Sequence, residues 1–175
     1  MNKQFNELKI NNNILLTNQE IKYNNDYRNR VWYIGQVLNG IPEGKGIMYW
    51  KDGDRYEGEW KNDKREGKGI MYYNDGDKYE GDFKNGTREG KGIFYWNDGN
   101  IYKGDFKNDE MEGKGIYYWA DGDRYEGDWK NDKREGKGIM YYSNGDREMG
   151  DYSNDNQIGK HVILTRDGNI KEKYY

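Results

Sequence analysis

A tyrosine returns at a fixed step along this chain. Tyr33, Tyr56, Tyr79, Tyr102 and Tyr125 each lie 23 residues from the next. Two glycine series keep the same step: Gly35, Gly58, Gly81, Gly104, Gly127 and Gly150, and Gly44, Gly67, Gly90, Gly113, Gly136 and Gly159. A constant period of this length marks a repeat array, in which one short unit is copied and stability comes from stacking on neighbours. Most folds built around one central core are thereby set aside.

Composition agrees. Hydrophobic residues make up 33% of the 175 and charged residues 35%, and the mean hydropathy of −1.41 approaches that of disordered chains. Against disorder stands the 16% aromatic content, placed in fixed slots of the period. The expectation is an ordered but thin and elongated molecule.

The period divides the chain. Residues 1–13 read as a flexible polar lead, and 14–32 as a degenerate capping hairpin followed by an insertion. Six units of 23 residues fill 33–170, the last of them degenerate, and 171–175 form a C-terminal tail. The sixth unit has Glu148 where the others have tyrosine, Tyr152 in the tryptophan slot, and His161 in place of the second glycine of GKG. Drift of this kind suits a terminal unit with a neighbour on one side only.

Within a unit, GIMYYNDGDKYEGDF (69–83) places two aromatic-rich runs around Asn74-Asp75-Gly76. That pattern is a hairpin signal and pairs Met71 or Tyr72 with the neighbourhood of Tyr79. The other connection, KNGTREGK (84–91), reads as a longer, charged solvent loop. In the strand after the turn, Tyr79, Gly81 and Phe83 alternate with Glu80 and Asp82, giving one aromatic and one wet face.

The pattern Y-x-G-x-W/F followed by E-G-K-G and a glycine turn, seen at Tyr56, Gly58, Trp60, Gly67, Gly69 and Gly76, resembles the MORN (membrane occupation and recognition nexus) repeat over residues 33 to about 170. The resemblance implies an all-β fold, an elongated, single-layer, twisted antiparallel sheet of stacked β-hairpins with a groove lined by the recurring aromatics and glycines. It also implies a protein-binding scaffold of cytoskeletal or ciliary assemblies, and in some members a link to membrane lipid.

The residues exclude several chemistries. The 29 basic and 32 acidic residues nearly cancel, so no field draws nucleic acid. No cysteine is present and His161 is the only histidine, which rules out disulfides, thiolate metal sites and a Ser-His-Asp arrangement. GKG is followed by isoleucine and an aromatic strand, where a phosphate loop needs Ser or Thr and a helix. The NDGD turns lack the ligand spacing of a calcium loop. Acid pairs such as Glu57 and Glu59 sit on the solvent face of a motif copied along the array. The expectation is therefore no enzyme, no metal and no cofactor. No segment has the apolar run of a signal peptide or membrane span, which predicts a soluble cytoplasmic protein.

The candidate partner-binding groove comprises Tyr33, Tyr56, Trp60, Tyr79, Phe83, Tyr102, Phe106, Tyr125 and Trp129. Each of these rings either packs between hairpins or faces a partner; one layer of sheet has little with which to cover them all, and an exposed Tyr/Trp row has the composition of a protein interface. The expected partner is a helical or extended segment of another protein. An alternative is anionic lipid at the basic loop residues Lys64, Arg65, Lys68, Lys133, Arg134 and Lys137, although Glu66 and Glu135 interrupt them. A homodimer through the terminal edge strands is a third reading.

Overall fold

The computed structural model describes residues 7–10, 14–24, 26 and 28–175. The chain divides into two compact units, 1–87 and 88–175. The first contains β1 (Glu7–Ile10), β2 (Ile14–Lys22), β3 (Arg30–Leu38), β4 (Ile41–Trp50), β5 (Arg55–Lys61), β6 (Lys64–Tyr72) and β7 (Lys78–Lys84). Each pairs antiparallel with the next. The second contains β8 (Thr87–Tyr95), β9 (Ile101–Lys107), β10 (Glu110–Tyr118), β11 (Arg124–Lys130), β12 (Lys133–Tyr141), β13 (Arg147–Ser153), β14 (Asn156–Leu164) and β15 (Ile170–Tyr174), again paired in chain order. No helix occurs among the described residues, and the all-β antiparallel hairpin array is the observed fold.

The NDG turn closes as expected. Tyr73 N–H donates to Asp77 O (3.0 Å) and Gly76 N–H to Tyr73 O (3.1 Å), with Gly76 at φ 97°, and Met71 faces Tyr79. The other connection differs from its reading as a long solvent loop. β5 ends at Lys61 and β6 starts at Lys64, leaving only Asn62 and Asp63, both at positive φ (48° and 63°). Residues 84–91 follow suit, since β8 resumes at Thr87 after Asn85 and Gly86. Asparagine tolerates the left-handed region that a two-residue turn of this hand requires. The charged residues that suggested a loop lie on strands.

Between neighbouring hairpins these turns are tied by side chains. Glu43 accepts from Asn62 N–H, Glu66 from Asn85 N–H, Glu112 from Asn131 N–H and Glu135 from Asn154 N–H, at 2.8–3.3 Å. The glutamate before GKG thus stitches each hairpin to the following asparagine turn. At the other end Asp54 accepts from Asn74 N–H, and Asp146 from Arg166 N–H. These turn carboxylates bind backbone.

The array extends further at both ends than the sequence suggested. Glu7–Ile10, inside the supposed flexible lead, is a strand paired with β2, and 171–174 belongs to β15, with Tyr175 bonded through its backbone to Gly159. The rest of the lead, 1–6 and 11–13, lies outside the described residues. Residues 14–22 form one strand instead of a closed hairpin, and the insertion has a definite task. Pro42 has no N–H to offer Asp63, whose carboxylate instead takes Arg28 (2.6 Å) and Arg30 (2.8 Å). Elsewhere the equivalent aspartate accepts the backbone N–H that proline lacks, as Asp132 does from Met111 and Asp155 from Arg134.

Candidate functional site

In the first unit, Tyr33, Tyr56 and Tyr79 have no exposed surface, and Trp60 and Phe83 are 5% and 4% exposed. Each tyrosine lies in the first half of its strand, and the rings of Tyr33 and Tyr56 each lie over two glycines of their own hairpin, Gly35 and Gly46 and Gly58 and Gly69. A Cβ on Gly58 or Gly69 would collide with Tyr56. Its hydroxyl donates to the carbonyl three residues on: Tyr33 to Gln36 (2.7 Å), Tyr56 to Glu59 and Tyr79 to Asp82 (both 3.0 Å). Burial pushes the Tyr33 and Tyr56 hydroxyls well up from their ordinary range. Trp60 stands edge-on to Tyr33 and Tyr56 (5.6 and 5.2 Å between ring centroids), and Phe83 edge-on to Tyr56 (5.0 Å). Arg65 closes the top, its guanidinium 5.3 Å from the Phe83 centroid and donating to Gly86 O.

The second unit repeats this chemistry. Tyr102 and Tyr125 are fully buried, with Phe106 at 4% and Trp129 at 5%. Their hydroxyls reach Asp105 O (3.0 Å) and Asp128 O (3.3 Å). Trp129 Nε1–H donates to Gly115 O (3.2 Å). Arg134 lies over Tyr152 and bonds Asp155, while Met111 fills the corresponding slot one hairpin earlier.

All nine aromatics of the candidate groove are therefore interior, so of the two readings open for them packing is the one observed. Within each unit a single layer hides them because the next hairpin covers Tyr33, Tyr56, Tyr102 and Tyr125 with an aromatic ring, and an arginine lies over Tyr56 and Tyr125 as well. The glycines let rings sink against the backbone, so the close approach they permit is by a ring of the same hairpin.

A second aromatic row borders this interior and is only half-buried: Trp50 and Tyr73 in the first unit, Trp96, Trp119 and Tyr142 in the second. In the second unit the rings run together, Phe94 to Trp96 (4.6 Å), Trp96 to Tyr117 (5.2 Å) and Tyr117 to Trp119 (4.7 Å). In the first unit a cleft of about 350 Å³ has Trp50, Trp60 and Met71 among its walls, with Asp52 and Asp54 and with Lys64 and Arg65 also lining it. This rim row was passed over as a site, yet the sequence carries its signal. An aromatic three residues before the turn glycine recurs at the same step of 23 from Trp50 to Tyr142, and Thr165 takes the slot in the sixth unit.

The sixth hairpin departs from the rest. Glu148 replaces the tyrosine and is 3% exposed, and His161 replaces the glycine opposite and is fully buried. The His161 ring covers Gly150 from the other strand, and Nε2 meets Asp151 O at 2.9 Å, the carbonyl position that each tyrosine hydroxyl reaches in its own hairpin. Glu148 accepts from the Tyr142 hydroxyl (2.6 Å) and the Tyr175 hydroxyl (2.8 Å) and lies 3.1 Å from His161 Nδ1. Burial raises the Glu148 carboxyl, but those two hydroxyls and the neighbouring imidazole outweigh it and hold the group below the ordinary glutamate range.

Among curated proteins none matches the chain by sequence. Solved structures share the fold. The TCP domain of SAS-4 from Drosophila melanogaster, in complex with a proline-rich motif of Ana2, is 13% identical with a TM-score of 0.54, covering 98% of this chain and 90% of that one. The TCP10 domain of Danio rerio CPAP is 10% identical with a TM-score of 0.51, covering 98% and 84%. The pattern of the MORN repeat matches residues 33–55, 56–78, 79–101, 102–124 and 125–147, and the chain belongs to the MORN repeat family.

Proposed function

We propose that this chain is a non-catalytic protein-interaction scaffold that receives an extended, proline-rich segment of another protein along its half-exposed aromatic row. The observation that carries the reading is the ring series Trp96, Tyr117 and Trp119, half-open to solvent above a fully packed floor. Flat, rigid aromatic edges suit a polyproline II segment, which is already extended and loses little entropy on binding. The nine buried aromatics serve as that floor. The proline-rich motif bound by the SAS-4 domain of similar fold supports the choice of partner, and the names of the structural neighbours support a cytoskeletal setting.

Titration of a synthetic proline-rich peptide tests the reading. Trp96→Ala combined with Trp119→Ala should weaken its binding at least tenfold while the fold is kept. Equal binding by wild type and double variant, or preference for an amphipathic helical peptide, would remove it. The lipid alternative has less support, because among its basic residues Lys68 pairs with Asp82 (2.6 Å), Arg134 with Asp155 (3.3 Å) and Arg65 is turned to the Gly86 carbonyl. Vesicles containing phosphoinositide should not retain the protein.

A further inference from the structure

The exchange at the sixth hairpin creates a site that the other hairpins lack. In the fourth and fifth hairpins of the period the inward pair is a tyrosine whose ring lies over a glycine of the facing strand, Tyr102 over Gly115 and Tyr125 over Gly138. The ring that arrives from the next hairpin makes an edge contact with that tyrosine, Trp129 on Tyr102 at 5.3 Å and Tyr152 on Tyr125 at 5.1 Å, and Trp129 adds its indole bond to the Gly115 carbonyl. With Glu148 and His161 the ring supporting Gly150 comes from β14, and the vacated position holds a buried carboxylate. The next ring to arrive is Tyr175, five residues into the following period, and it packs edge-on to His161 at 5.0 Å. Its hydroxyl donates to Glu148 Oε1 at 2.8 Å and accepts from Lys173 Nζ at 2.7 Å. Phenylalanine would serve the edge contact equally but has no donor for that carboxylate oxygen, and a tryptophan in this slot sends its indole N–H to a backbone carbonyl, as Trp129 does to Gly115 O.

We propose that Glu148, His161 and Tyr142 form a tyrosine-specific socket that latches the strand paired to β14, occupied in this structure by Tyr175. β15 has few other holds. Its five residues are all exposed, with Ile170 at 72% and Tyr174 at 70%. Apart from the ladder to β14, its attachments are the reciprocal backbone bonds between Tyr175 and Gly159 and the Lys160–Glu172 pair on the surface. Such a strand opens at low free energy unless an anchor reaches a buried group, as the Tyr175 hydroxyl reaches Glu148 although 44% of the residue stays exposed. A hydrogen bond to an ionised group is the strongest single contact of that kind available here.

Amide hydrogen exchange on the full chain tests the socket. Tyr175→Phe keeps the ring and removes the hydroxyl, and exchange across 171–175 should rise about tenfold, the effect of one charge-assisted bond. Tyr174→Phe should leave it unchanged. The decisive background is the double variant Glu148→Tyr with His161→Gly, which restores the tyrosine–glycine pair of the other hairpins. There the socket no longer exists, and Tyr175→Phe should alter exchange by less than twofold. A Tyr175→Phe effect of equal size in both backgrounds, or none in the wild-type background, would overturn the proposal.

Discussion

The floor and the rim of the sheet are built from the same residue types and have opposite fates. Tyr56 and Trp60 point into the inner face and are sealed by Phe83 and Arg65. Trp96 and Trp119, beside the turns, meet aromatic neighbours on one side and water on the other. Being aromatic and repeated at the period decides neither outcome. Position relative to the next hairpin does, because burial on one layer of sheet is supplied only by the neighbour. Stability is concentrated in the floor, and the capacity to bind is left at the rim.

Substitutions can break that division. The largest effect should come from Tyr56→Ala, which removes a fully buried ring and leaves the Glu59 carbonyl unpaired: a loss of about 3–5 kcal/mol in urea unfolding. Gly138→Ala should cost about 1–3 kcal/mol by forcing a methyl group against the Tyr125 ring. Tyr125→Phe, which deletes only the bond to the Asp128 carbonyl, should cost about 1 kcal/mol. Trp119→Ala at the rim should cost no more than about 1–2 kcal/mol, since much of its ring is already wet, yet it should weaken the proline-rich peptide. If Trp119→Ala destabilised as much as Tyr56→Ala, the distinction between floor and rim would fall.

The smallest effect concerns acid. A carboxyl whose proton affinity is lowered on folding contributes stability above its unfolded value, and that contribution disappears as pH falls through the folded value. Glu148 is such a group. Near-ultraviolet circular dichroism from pH 6 to pH 2 should show an acid transition that Glu148→Gln makes shallower. An identical transition in the variant would remove Glu148 from the acid response.

Much of the fold was legible because the period is rigid. One unit's turn glycine and alternation predicted all the others, and the facing of Met71 and Tyr79 followed from them. The connection at 84–91 differs from its reading because Lys84, Arg88, Glu89 and Lys91 carry the charge of a solvent loop, and that signal masked the tight Asn85-Gly86 turn. The site was legible only as a list of rings. Which ring is covered depends on the following hairpin, and Arg65 acting as a lid has no local signature.

The sequence by itself determined the repeat, its family, the antiparallel hairpins and the absence of cysteine and of a histidine cluster, since each follows from spacing or from residues that are present or missing. Only the tertiary structure decided which aromatics are floor and which are rim, because burial on a single layer is conferred by the next copy. It alone also revealed that Glu148 and His161 are one exchange across a hairpin. Residues 13 apart in the chain become partners only when the strands that carry them are laid side by side.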